Sequence, residues 1–216
     1  MDYTTIRSKL FTMAQLDLFS ENKNPHSVVE ILNGEYLYIE NFFNRSDADY
    51  YLNDFINNVI WEQQSMNMYG KIVPFPRLTT WYGDNDKPYS FSGITLNPHP
   101  WNDSLLKIKN LIEPLSGVSF NSVLLNRYRS GNDSISWHTD AEKELGRNPV
   151  IASVNFGEER VFQLKHMETG ERIDILLKHG SLLIMKGELQ HFWKHQIPKS
   201  KKNMKERINL TFRVIK

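Results

Sequence analysis

The final strand-like run of the chain alternates most clearly. Ile208, Leu210, Phe212 and Val214 fall on one face, and Arg207, Asn209, Thr211 and Arg213 fall on the other. The apolar face predicts a core beneath it, so the second face would line a cavity or cleft. Burying two guanidinium groups there is costly unless an anion is bound, and arginine's planar fork matches a carboxylate. Similar short runs recur upstream at Phe120 to Tyr128, Val150 to Phe156, Arg160 to His166, Arg172 to Leu177 and Ser181 to Met185, with turn residues between them. That spacing predicts an antiparallel sandwich or barrel. Residues 36 to 43 read as a further strand.

Two stretches have helical periodicity instead. Tyr51, Leu52, Phe55, Ile56 and Val59 follow Ser46, with Asp49 completing a loose capping box. Leu105, Ile108, Leu111, Ile112 and Leu115 share one side of a helix from about residue 102 to 116, which Gly117 ends. Both helices read as structural. Between them, residues 68 to 93 interleave Tyr69, Trp81, Tyr82, Tyr89 and Phe91 with glycine, proline and basic residues. Such a segment predicts hairpins and loops that stack bases and hold phosphates. The plainer expectation is that Trp81, Tyr82, Tyr89 and Phe91 fill core beneath a loop.

Residues 1 to 27 read as a flexible arm ending in a polar spacer, Ser20 to Ser27, and residues 28 to 216 as a single domain. At 216 residues and 40 % hydrophobic, the chain can bury a sizeable core. Zero cysteines exclude disulfides, thiolate zinc sites and cysteine nucleophiles, so any metal here has nitrogen and oxygen ligands. No run approaches the roughly 18 apolar residues needed to span a bilayer, so a cytoplasmic protein without membrane contact is expected. A net charge of +1 does not mark a nucleic-acid binder. Its distribution is uneven, however, with four lysines in Lys199-Ser-Lys-Lys-Asn-Met-Lys205.

Candidate chemistry centres on His138-Thr-Asp140. On extended backbone both side chains point to one face, and one more histidine would complete the two-histidine, one-carboxylate triad that binds Fe(II) while leaving positions open. The downstream candidates are His166, His179, His191 and His195.

The residue types in Asn126-Arg-Tyr128, His138-Thr-Asp140, Ile151 to Gly157, His179 to Met185, His195-Gln-Ile-Pro198 and Arg207 to Arg213 resemble the AlkB family. These are Fe(II)- and 2-oxoglutarate-dependent dioxygenases that repair alkylated bases. The resemblance spans roughly residues 36 to 216 and runs closest to the animal homologue that works on duplex DNA. It implies a mostly β (α+β) fold: a double-stranded β-helix, or jelly roll, with flanking helices and an N-terminal nucleotide-recognition lid at about residues 60 to 100. It also implies His138, Asp140 and His195 as iron ligands, with His191 the runner-up. 2-Oxoglutarate would meet Arg207, Asn126 and Tyr128, while Asn209, Thr211 and Arg213 complete its pocket. With O2, the activity implied is oxidative demethylation of 1-methyladenine and 3-methylcytosine in DNA, releasing formaldehyde and succinate.

For the base, the resemblance assigns Phe91 and Tyr89 to stacking, Tyr69 to the vacated stack, Arg77 to the DNA backbone and Glu142 to the exocyclic amino group. Ala141 departs from the acid that the duplex-specific relative carries there. The lysine loop would contact phosphates of the opposite strand. A second resemblance concerns Gln15-Leu16-Asp17-Leu18-Phe19, which is similar to the motif by which bacterial replication and repair proteins dock on the sliding clamp. A terminal helix turn packed on the domain is the simpler expectation. A monomer is expected. The other classes are an oxygenase acting on RNA, protein or a small molecule, and a non-catalytic clamp-associated adaptor.

Overall fold

The computed structural model describes residues 27–68, 70–84, 89–91, 94–96 and 98–216, with no side-chain description for residues 68 and 89–96. β1 (Val28–Ile31) and β2 (Gly34–Ile39) form a hairpin, followed by α1 (Arg45–Asn58). The hairpin β3 (Ser65–Met68) and β4 (Lys71–Pro74) precedes β5 (Leu78–Gly83), and β6 (Tyr89–Phe91) pairs with β7 (Ile94–Leu96). After α2 (Asp103–Ser116) come β8 (Ser122–Tyr128), β9 (Ile135–His138), β10 (Ile151–Gly157), β11 (Arg160–His166), β12 (Arg172–Leu177) and β13 (Ser181–Lys186). A short α3 (Leu189–Phe192), β14 (Trp193–Ile197) and β15 (Arg207–Arg213) complete the chain.

Beside the two-stranded hairpins β3-β4 and β6-β7, the described residues form two larger antiparallel sheets. The larger runs β1-β2-β13-β10-β15-β8-β5 and the smaller β12-β11-β14-β9. This is the expected jelly roll, and the alternation in β15 explains how it is assembled. Ile208, Leu210 and Phe212 join Val123, Leu125, Val154 and Ile184 on the face that α1 and α2 cover. Tyr51 and Phe55 of α1 meet Phe156 with ring centroids 5.5 and 6.1 Å apart, and Leu105, Ile108 and Ile112 of α2 are fully buried. Each such side chain stabilises by roughly 1.5–3 kcal/mol. The opposite face of the large sheet meets Phe162, Leu164 and Ile197 of the small one through Ile151, Leu183 and Met185. The polar residues of β15 lie between the sheets.

Several boundaries differ from the sequence reading. The strand expected over 36 to 43 stops at Ile39, and Phe43 is instead pinned by its amide to Gly180 O at 2.9 Å. Gly180 has φ +77, and a Cβ there would lie 2.9 Å from Phe43 O. α1 is capped by Asn44 rather than Ser46, because the Asn44 carboxamide reaches both the amide (2.9 Å) and the carboxylate (2.8 Å) of Asp47. α2 ends at Gly117 as expected, in the left-handed conformation with φ 77, but Leu111 is 52 % exposed. Trp81 and Tyr82 do fill core: they belong to β5, an edge strand of the large sheet. No helix among the described residues is long and apolar enough to cross a membrane.

Candidate active site

Strand register builds the metal site. β14 and β9 place His195 directly opposite His138, with ring centroids 4.2 Å apart. β9 stops at His138, so Asp140 reaches the site from irregular backbone rather than from the extended strand expected. Its amide is held there by Gln190 Oε1 at 2.9 Å, and its Oδ2 accepts from Arg213 Nη2 at 2.8 Å. Ligand atoms of His138, Asp140 and His195 all lie within 4.8 Å of one another. His191 is exposed and accepts from the Asn148 amide at 3.3 Å, so the runner-up is not at this site. His166 is fully buried, stacked on Phe192 and bonded to nearby amides, and His179 bridges the Gly157 amide and Asp49.

The electrostatics suit a cation. His138 Nδ1 lies 2.8 Å from Ser136 O, a carbonyl that can only accept, so Nδ1 carries the hydrogen and Nε2 is left as the ligand. Burial pushes the His195 imidazole down to about 3, with His138 and Arg213 adding to it against the pull of Asp140, so it is neutral at pH 7. Burial alone would raise Asp140. Arg213, His195 and His138 together outweigh burial and hold its carboxyl well below the usual carboxylate range. Two imidazole nitrogens and one carboxylate form a donor set that fits Fe(II).

Between the sheets, a cavity of about 50 Å³ joins this triad to Asn126, Tyr128, Ser153, Arg207, Asn209, Thr211 and Arg213. All six residues expected around 2-oxoglutarate are brought together there. Arg207 is 1 % exposed, and its guanidinium lies 4.9 Å from the Tyr128 ring centroid. Nη2 donates to Asn155 Oδ1 at 2.6 Å, while Nε and Nη1 are buried with no hydrogen-bond acceptor among the described residues. Burial lowers the guanidinium to about 10 although the Tyr128 phenol opposes this, so it stays charged at neutral pH. A buried cation with donors left over fits a bound carboxylate. Asn155, not foreseen from the sequence, sits opposite Asn209 in the ladder and also accepts from Asn209 Nδ2 at 3.1 Å. Its signal was the Asn155–Arg207 spacing across two strands, which needs the register to be seen.

A larger cavity, about 400 Å³, opens beside the triad. Met66, Val73 and Phe75 line one side, and Trp137, His138, Asp140 and Glu142 another. Glu142 Oε2 is buried without a hydrogen-bond partner among the described residues. Arg77, expected at the DNA backbone, is 6 % exposed and donates to Asn126 Oδ1 at 2.8 Å and Ser134 O at 3.4 Å. It lines this cavity instead. Tyr69 and the pentamer Gln15, Leu16, Leu18 and Phe19 lie outside the described residues; Tyr89 and Phe91 form part of β6. Lys199, Lys201, Lys202 and Lys205 are all exposed, and their loop is tied to the domain by the Ser200 amide on Gly131 O at 2.8 Å.

Comparison with known proteins accords with this geometry. The model of the 2OG-Fe(II) oxygenase superfamily matches residues 35–213, so the chain belongs to that superfamily. Within it, the chain is a member of the AlkB family. It is 42 % identical over 184 residues to the alpha-ketoglutarate-dependent dioxygenase alkB homolog 3 of Bos taurus, 81 % of this chain and 64 % of that protein. It is 40 % identical over 158 residues to the DNA oxidative demethylase ALKBH2 of Homo sapiens, covering 69 % and 60 %. The Arabidopsis thaliana ALKBH2 is 32 % identical, with 91 % and 71 % covered. The chain thus spans under two-thirds of the length of the first two relatives, and its likeness is shared between both rather than confined to one. The solved structure of OsALKBH1 matches with TM-score 0.60 at 16 % identity, over 87 % of this chain and 100 % of that one, which supports the fold alone.

Proposed function

We propose that this chain is an Fe(II)- and 2-oxoglutarate-dependent dioxygenase that oxidatively demethylates N-alkylated bases, 1-methyladenine and 3-methylcytosine, in DNA. The observation that carries this reading is that two cavities share His138 and Asp140 of one triad. A His-Asp-His triad has a buried guanidinium with spare donors on one side and a cavity large enough for a base on the other. The names of two relatives, both DNA oxidative demethylases, support the substrate class.

His138, Asp140 and His195 would hold the iron, and Arg207, with Asn126 and Tyr128, would hold the far carboxylate of 2-oxoglutarate. Bound iron and co-substrate supply oxidation of an N-methyl carbon by O2, with succinate and CO2 as co-products and formaldehyde released from the hydroxylated methyl group. The chain's own residues bind and orient. Ser136 O fixes the His138 tautomer, Gln190 fixes the Asp140 backbone, and Met66, Val73 and Phe75 would give the base an apolar surface to pack against. Glu142 Oε2 would accept a hydrogen bond from the exocyclic amino group and offset the positive charge of the methylated base. A base in a duplex must be flipped to reach this depth, at a cost of a few kcal/mol that is smaller for a badly paired lesion. Phe91 and Tyr89 would stack on it, Tyr69 would fill the gap, and the exposed lysine loop would meet phosphates.

Turnover on matched methylated DNA and RNA strands tests the substrate: faster DNA turnover supports the reading, and equal or faster RNA turnover moves the chain to the RNA alternative. Docking on a sliding clamp through Gln15, Leu16, Leu18 and Phe19 is proposed from the pentamer alone. Replacing Gln15, Leu18 and Phe19 should abolish clamp binding without reducing activity on free oligonucleotides, and unchanged clamp binding would end the idea.

A further inference from the structure

Arg160 is a further buried guanidinium, close to the Tyr128 ring that lines the co-substrate cavity but not itself among the lining residues, and neither the ligand set nor the pocket described above uses it. It opens β11 and is 3 % exposed. Its hydrogen bonds go to three backbone carbonyls: Nη2 to Pro198 O at 2.6 Å and Asp133 O at 3.0 Å, and Nη1 to Ser130 O at 3.4 Å. Its guanidinium carbon lies 5.7 Å from the centroid of the Tyr128 ring that Arg207 also contacts.

The carbonyls it joins are informative. Asp133 lies two residues before β9, the strand that presents His138, and Pro198 directly follows β14, the strand that presents His195. β9 is a four-residue edge strand, and its pairing with β14 registers only at His138↔His195 and Ile135↔Ile197, with an irregularity between them. Such a ladder is weakly specified by itself. One planar fork bonded to both ends beyond the irregularity supplies the missing constraint.

We infer that Arg160 is a positioning residue of the co-substrate pocket. It locks the β9 and β14 ends together and holds the Tyr128 ring in place, so that Tyr128 and Arg207 meet the carboxylate already oriented. This rests on the reading that the cavity takes 2-oxoglutarate. Outer groups that orient binding residues typically matter by about 10- to 100-fold in affinity or activity.

Calorimetric titration of 2-oxoglutarate into Mn(II)-saturated full-length protein, without DNA, tests it. Four proteins are compared: the unaltered chain, Arg160→Met, Arg160→Lys, and Ile112→Ala, a stability control in the core beneath α2. Arg160→Met should weaken binding about 10- to 100-fold, Arg160→Lys should fall between it and the unaltered chain, and Ile112→Ala should bind as the unaltered chain does despite a lower melting temperature. Normal binding by Arg160→Met would overturn the inference, as would an equal loss in Ile112→Ala. If the unaltered chain itself bound no 2-oxoglutarate, the pocket reading would fall and the inference with it.

Discussion

Arg213 Nη2 donates to Asp140 Oδ2 at 2.8 Å, and both groups are almost fully buried. The pair explains how a carboxylate can stay ionised between two sheets before a metal adds its charge. Arg213→Met would leave that charge uncompensated, a change that costs about 3–5 kcal/mol for a buried pair. Chemical denaturation of metal-free protein should show this loss, and added Mn(II) should recover part of it. A variant as stable as the parent would mean that the pair is not formed in solution.

Stability of the metal-free chain should also fall with pH in a defined window. His195 is held at about 3 in the folded state, against roughly 6.5 when unfolded, so between those values the unfolded chain binds the extra proton. Asp140, lowered by folding, acts in the same direction below about pH 4. Unfolding midpoints should therefore decline steadily below about pH 6.5, and His195→Gln should flatten the decline between pH 6 and 4. An equally steep decline in that variant would assign the effect elsewhere.

The alternatives for the distal ligand separate cleanly. His195→Ala should abolish Co(II) binding followed by visible absorption, while His191→Ala should leave it intact, since His191 is exposed and turned to the Asn148 amide.

Arg207→Lys keeps the charge but loses the fork that carries Nε and Nη1 into the cavity. Loss of a hydrogen bond to a charged group costs about 1.5–3 kcal/mol. The KM for 2-oxoglutarate should rise by about 10- to 100-fold, with kcat at saturation changed far less.

Helix capping offers a test away from the site. Asn44→Ala should cost about 1 kcal/mol, and Ser46→Ala almost nothing, because Asn44 caps α1.

What the sequence revealed followed from periodicity. The two faces of β15 were legible because alternation along one strand is a local property, and all four polar residues do face the cavity between the sheets. His138 and Asp140 were legible as a pair for the same reason, although Asp140 reaches the site from a loop. What stayed hidden was non-local. β9 and β14 are too short to stand out, and their pairing selects His195 over His191. Gln190, Asn155 and Arg160 act across 50, 52 and 38 residues of sequence on Asp140, Arg207 and Pro198, and nothing in local spacing signals such contacts. Arg77, placed at the DNA backbone by the resemblance, directly precedes β5 and turns inward to Asn126, a contact 49 residues away in sequence.

The most direct test is formaldehyde release from an oligonucleotide carrying one 1-methyladenine. Anaerobically purified protein is given Fe(II) and 2-oxoglutarate and then air, beside His138→Ala. The unaltered chain should release formaldehyde in step with succinate, and the variant none. Succinate without formaldehyde would keep the oxygenase and contradict the substrate, and neither product from iron-loaded protein would contradict the central claim.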